Sequence, residues 1–258
     1  MKLVWCPPGK FMMGSPTSEM GRVSNEYQVA VTLTQGFWLG KYEVTQRAWR
    51  DVMGSEPWEG QPYVRDGDQF AVTYVSWNDA VKFCGKLTAS ERALGRLPDD
   101  WQYTLPTEAQ WEYACRAGTT TRFSFGNDES QLGNFAWFDG NSRAVRVAFA
   151  NRVGQKRANG WGLHDLHGNV CEFCRDSHSV RRQGGTDPLG TATGSRRVSR
   201  GGSFVKLAEY CRSASRIWAA ASDRNFYLGF RIAAVPLLPR GQSSEFPVAP
   251  STSSMPDK

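Results

Sequence analysis

The chain has 258 residues, 40% hydrophobic and 22% charged, with a net charge of +6. That balance is ordinary for a globular protein, and no stretch approaches the ~18 consecutive apolar residues of a membrane-spanning helix. The 31 Lys and Arg residues are spread along the chain, so they form no concentrated basic patch and nucleic acid is disfavoured as a partner.

Six cysteines are too sparse for a disulfide scaffold, while 26 glycines and 10 tryptophans point to an irregular chain pinned by large aromatic anchors. The start, MKLVWCPPGKF, lacks the apolar length and small-residue site of a secretory signal. A cytoplasmic location is therefore the default expectation, with export by a removed leader left open.

In chain order, residues 27–34 and 37–44 alternate with period two around Gln35-Gly36 and are predicted to be paired strands. Residues 45–53 have a helical pattern, and a Gly-, Pro- and Asp-rich loop follows to residue 68. A helix is predicted to open at residues 75–79, capped by Ser76 or Asn78, with Ala80, Val81, Cys84 and Leu87 as its apolar face. Thr107 and Gln110 have capping-box spacing for another helix, which faces Trp111, Ala114 and Cys115 inward and stops before Gly118.

From 118 to 188 there is little periodicity and much Gly, Asn and Asp, the mark of functional loops or bound ions. Strand-like pieces at 197–205 and 228–234 complete a domain spanning 1–235. The Pro- and Ser-rich residues 236–258 are expected to be a disordered tail.

Eight phrases stand in order. They are Phe11-Met12-Met13-Gly14-Ser15, Lys41-Tyr42-Glu43-Val44-Thr45, Val75-Ser76-Trp77-Asn78-Asp79-Ala80 and Leu105 to Ala114. Then come Asn159-Gly160-Trp161-Gly162-Leu163, Gly168-Asn169-Val170, Arg200-Gly201-Gly202-Ser203 and Gly229-Phe230-Arg231. Together they resemble the formylglycine-generating-enzyme, or sulfatase-modifying-factor, family. The resemblance implies an α+β, C-type-lectin-like fold that is loop-rich, with small antiparallel sheets and two main helices. The family spans oxidases, sulfoxide-forming enzymes and binding proteins without chemistry, and its domain is often joined to kinases.

The family's oxidase holds copper(I) on two cysteines five residues apart, shortly after the Gly-Gly-Ser phrase. By that resemblance Ser203 and Cys211 are the catalytic candidates, and the first copper ligand falls on Lys206. An ammonium cannot replace a soft thiolate. Cys211 alone also reads as a buried core cysteine.

The resemblance places a calcium site on Asp165, Gly168, Val170 and Glu172. Two carboxylates and two main-chain oxygens within eight residues suit a hard cation; the other reading is that Glu172 pairs with Arg175 or another base. A third metal reading, zinc on His167, Cys171, Cys174 and His178, rests on one C-x-x-C and is weak beside a structural cysteine pair.

From 198 to 231 a repeated frame alternates with assorted residues: Val205, Lys206, Leu207, Tyr210, Ser215, Ile217, Trp218, Ala219, Ala220, Asn225, Phe226 and Tyr227. The layout resembles the variable proteins of diversity-generating retroelements, whose randomised positions arise from AAC codons. Most of these residues can arise that way; Lys206 and Trp218 cannot. Two functions follow. One is a ligand-binding protein displaying those residues to a protein or glycan, and it is favoured by Lys206. The other is a copper-dependent formylglycine-generating oxidase or a related oxidoreductase.

Overall fold

The computed structural model describes residues 1–142, 149–190 and 194–237. In chain order the first half comprises β1 (Leu3–Cys6), β2 (Gly9–Met13), β3 (Val29–Leu33), β4 (Phe37–Gly40), α1 (Gln46–Met53), α2 (Trp77–Ala93), β5 (Trp101–Thr104) and α3 (Glu108–Arg116). The second half adds β6 (Cys171–Ser177), β7 (Gly185–Thr186), β8 (Arg196–Arg200), β9 (Arg216–Ala220), β10 (Leu228–Gly229) and β11 (Ala233–Pro236). Among the described residues these strands form three small sheets, ordered β1-β4-β11-β5, β10-β6-β8-β9 and β2-β3-β7. Pairing is antiparallel except at β10–β6 and β3–β7. The loop-rich α+β architecture expected from the sequence is the one observed.

Local chemistry explains all three long helices. Thr45, Ser76 and Thr107 each turn a side-chain oxygen back to the first free N–H groups of α1, α2 and α3. Ser76 with Asp79, and Thr107 with Gln110, complete capping boxes. α3 ends on Ala117, in the left-handed region, just before Gly118.

Val81, expected on the apolar face of α2, is instead 42% exposed, and the strand pairing expected around Gln35-Gly36 fails. β3 and β4 do not pair with each other across Gln35-Gly36. Their partners come from the N-terminus: β4 runs antiparallel to β1 (Cys6 opposite Phe37) and β3 to β2 (Gly9 opposite Leu33). Residues 3–13 and 29–40 thus form two facing ribbons, and each breaks at the same level. Pro7-Pro8, which has no N–H to give a ladder, marks the break in one; residues 34–36 mark it in the other. Gln35-Gly36 is a bend between sheets, not a hairpin turn. The tail also begins later than expected, because Pro236 still pairs with Trp101 and Leu237 donates its N–H to Asp100 O. The remainder of the expected tail, from residue 238, lies outside the described residues.

The largest core packs α1 and α2 onto the sheets through Trp49, Phe83 and Phe230, with Trp49 and Phe83 stacked at 5.6 Å. A second core joins β4 to α3 through Phe37, Leu39, Trp111 and Ala114. The long segment between α3 and β6 is held by polar pins. His167, fully enclosed, accepts the Ser124 N–H on Nε2, so its proton sits on Nδ1 and is donated to Cys211 O at 2.8 Å. Burial pushes His167 down to about 4, which keeps it neutral in that role. No helix among the described residues is long and apolar enough to cross a membrane.

Candidate functional site

Two groups of sequence-predicted site residues, and part of a third, meet around the N-terminal end of β6. The first is the 165–172 loop. Asp165 and Asn169 both adopt positive φ, and this crowding of turns buries two carboxylates beside a third, Glu43. Glu43 accepts the Val170 N–H at 3.0 Å and the Asn169 amide at 2.5 Å. Glu172 takes Trp111 Nε1 and Arg231 Nε on one oxygen, and a single Arg231 Nη2 hydrogen bond on the other. The alternative of pairing with a base is therefore realised, with Arg231 as that base.

Asp165 accepts the Gly154 N–H on one oxygen, while its other oxygen is buried with no partner. Burial pushes Asp165 up to about 6 and Glu43 well above the usual carboxylate range; for Glu43 the charges of Asp165 and Glu172 add to the effect. Three buried acids thus face one guanidinium, Arg231. Asp165 has one oxygen free and the Glu172 oxygen with a single hydrogen bond keeps a lone pair, but among the described residues no group of three or more His, Cys, Asp or Glu is arranged to hold a metal ion.

The second group surrounds Cys211. Its thiol is wholly enclosed, donates weakly to Leu207 O at 3.7 Å, and is pushed strongly up by burial, with Cys171 adding to the shift. Gly202 has φ +71, and a Cβ there would come within 2.6 Å of Cys211 Sγ, so the Gly-Gly-Ser phrase is what lets this thiol pack against the backbone. Ser203 is buried and its hydroxyl has no hydrogen bond. Burial pushes Cys171 up to about 12 despite the nearby charge of Lys206.

Lys206 itself is half-buried, with Nζ 5.6 Å from the Tyr210 ring and 5.2 Å from the Tyr227 ring. Two aromatic faces hold the ammonium in place. Of the two positions that the family's copper thiolates would take, one is Cys211 and the other is the caged ammonium of Lys206.

The zinc arrangement is not formed. Cys171 and Cys174 are three apart on one strand and point into different cores. His167 is already committed to Ser124 and Cys211.

The third group is the assorted C-terminal set, which divides. Val205, Phe226 and Tyr227 pack around Phe204, and Phe226 also meets Tyr63 at 5.0 Å. Leu207 and Tyr210 are exposed beside them. On β9, Trp218 is 45% exposed and lies under the Arg196 guanidinium at 4.0 Å, while Ile217 turns partly into the core. Ala220 and Asn225 are half-buried.

Ser215 and Ala219 do not reach the surface, being 4% and 7% exposed. Ser215 is turned in beside Arg200, which bonds its carbonyl, and Ala219 points inward by strand alternation. Tyr63, 57% exposed on the 54–68 loop, belongs to this face and was missed. Its one signal was a large aromatic in a Gly-, Pro- and Asp-rich stretch.

Trp218→Ala is expected to change stability by less than about 0.5 kcal/mol, as for a surface side chain. A thermal melt checks this, and a core-sized loss would remove Trp218 from the displayed face.

The family described as the sulfatase-modifying factor enzyme 1-like domain matches residues 1–235. The chaperone protein LppX of Paenibacillus barcinonensis is 30% identical over 68% of this chain and 71% of its own length. The formylglycine-generating enzyme of Streptomyces coelicolor is 35% identical over 67% of this chain but only 55% of its own length; the chain spans little more than half of that enzyme. Among solved structures, Treponema denticola variable protein 1 superposes with a TM-score of 0.77 at 29% identity, covering 91% of this chain and 95% of that one.

Proposed function

This chain belongs to the sulfatase-modifying factor enzyme family, and we propose that it serves there as a ligand-binding protein, not as a copper oxidase. Lys206 carries the reading. It puts a tyrosine-caged ammonium where the family's first copper thiolate would stand, beside a Cys211 thiol kept neutral by burial.

The binding reading draws further support from the likeness to a variable protein and from the surface where exposed Leu207 and Tyr210 stand near half-buried Phe226 and Tyr227, with Trp218 exposed separately on β9. Rigid aromatic rings give contact area with little rotamer entropy to lose, as in antibody paratopes. The ligand is a protein or a glycan, and diversification of the segment by a retroelement accounts for the assorted residues other than Lys206 and Trp218. Calcium, held by Asp165, Glu172 and the carbonyls of Gly168 and Val170, would brace the loop that leads into β6 behind this face. The oxidase reading keeps one point in its favour: Cys171 neighbours Cys211 closely enough to influence its ionisation.

The deciding assay supplies copper(I), oxygen and a Cys-x-Pro-x-Arg peptide and follows the peptide thiol by mass spectrometry. The thiol is expected to survive. Aldehyde formation abolished by Cys211→Ser would replace the binding reading with the oxidase one.

A further inference from the structure

Tryptophan is used in two ways in this chain. Trp49, Trp58, Trp77 and Trp111 are buried, and each donates its indole N–H to a protein oxygen. Trp5, Trp38 and Trp101 instead gather on one face of the sheet β1-β4-β11-β5, away from the core that takes Phe37 and Leu39. Trp5 and Trp38 stand opposite each other on β1 and β4, and each is 41% exposed. Trp101, half-buried at the start of β5, pairs with Pro236 of β11. None of these three gives its N–H to a protein oxygen among the described residues.

The rings are tilted to one another. Trp5 meets Trp38 at 5.2 Å and 58°, and Trp101 at 6.5 Å and 47°. Gly36 makes room for this, because a Cβ there would come within 2.2 Å of the Trp5 ring. The result is two V-shaped clefts, one on each side of Trp5. A flat sugar ring stacks on a single open ring face. Tilted aromatic clefts with idle N–H donors suit a proline-rich backbone, whose rings fill the clefts and whose carbonyls have no internal partners.

Such a segment belongs to the chain itself. Leu237, the last residue described, is 41% exposed and donates its N–H to Asp100 O, next to Trp101. Residues 238–258 follow and include Phe246-Pro247-Val248-Ala249-Pro250, a P-x-x-P sequence. Each proline restricts its own φ and the residue before it, which favours polyproline II. One turn of that helix is about 9 Å and sets both prolines on the same edge. Pro247 comes ten positions after Leu237. That is a reach of up to about 33–36 Å, ample to return to the face from which the chain departs.

We propose that the Trp5–Trp38–Trp101 face is a docking site for the chain's own Phe246–Pro250 segment, with the proline rings in the clefts beside Trp5 and the indole N–H groups donating to the segment's carbonyls. The tether supplies an effective concentration on the order of mM, so a weak contact suffices. Docking covers an apolar patch that would otherwise face water.

Hydroxyl-radical footprinting of the full chain, resolved by mass spectrometry to single tryptophans, tests the assignment. Trp218, 45% exposed on another sheet, is the internal reference. Trp5 and Trp38 are expected to oxidise about threefold more slowly than Trp218, as suits a weak contact at that effective concentration. Pro247→Ala and Pro250→Ala together alter no described residue and should bring both tryptophans up to the rate of Trp218. A peptide of residues 243–252, added at millimolar concentration to this variant, should restore the protection; the same peptide with both prolines replaced by alanine should not. Equal rates for all three tryptophans in the wild type, protection that survives in the double variant, or a peptide without effect would each overturn the proposal. Protection that is lost on dilution would assign the segment to a second copy of the chain and overturn it as well.

Discussion

Replacing Glu112 with glutamine is expected to lower the free energy of unfolding by about 3–5 kcal/mol, the range for removing one partner from a buried ion pair. Glu112 is completely enclosed and has four partners. One oxygen accepts the Gly14 N–H at 2.7 Å and Arg116 Nε at 3.0 Å; the other takes Arg182 at 2.8 Å and Arg200. Those arginines reach on to Gly14 O, Ala214 O and Ser213 O. One carboxylate therefore ties α3 to the end of β2, to β8 and to the segment before β9. Glutamine keeps the shape but turns an N–H₂ toward a guanidinium, leaving donors opposed and three buried arginines without their shared anion. Chemical denaturation compared with wild type checks the magnitude. A loss below about 1 kcal/mol would mean that the arginines find other partners.

The same residue governs the acid limb. Burial alone would raise Glu112, but Arg182, Arg116 and Arg200 together hold it down at about 2. With a folded value below the unfolded one, its contribution is fully present above pH ~4.5 and is lost as the pH falls toward 2. Asp176 works in the opposite sense: its folded value of about 6 means that stability is gained as the pH falls from 6 toward 4. The wild type should therefore soften mainly below pH 4.5. The Glu112→Gln variant should show a flatter limb there, with a residual slope from Glu108 and Glu26, which are also held low.

How much of this was legible depends on the range of the interaction that fixes each feature. The caps at Ser76 and Thr107 act within three residues, so the pattern around them located α2 and α3. The pairing of β3 and β4 is decided by residues 3–13, whose alternation is broken by Pro7-Pro8, so the nearer but wrong partner looked better. β6 escaped because both its faces are buried and it does not alternate. Glu112 lies inside a phrase that marked the family, yet Arg182 and Arg200 are 70 and 88 residues away and nothing local links them to it. At the site, residue types were readable and their commitments were not. Asp165 kept a free oxygen, whereas Glu172 proved to be held by Arg231, 59 residues downstream.

That last pair carries the second large effect. Arg231→Met is expected to cost about 3–5 kcal/mol in the absence of calcium. Arg231 is fully buried and gives two hydrogen bonds to Glu172 and one each to the carbonyls of Gly40 and His164. It is the cation facing Glu43, Asp165 and Glu172 together. Methionine fills much of the volume but leaves three enclosed acids with no counter-charge. If calcium is the cation that the Asp165 oxygen awaits, it should substitute for part of what Arg231 supplied, because freeing Glu172 adds a carboxylate to the donor set. Millimolar calcium should then raise the melting temperature of the variant by more than it raises that of the wild type, and a chelator should reverse both shifts. Ligand binding stabilises a folded state by about 2.7 kcal/mol at a hundredfold excess over Kd, enough to be read from a melt. Equal melts with calcium and with chelator, in both proteins, would remove calcium from the loop and leave the Glu172–Arg231 pair of the wild type as its main brace.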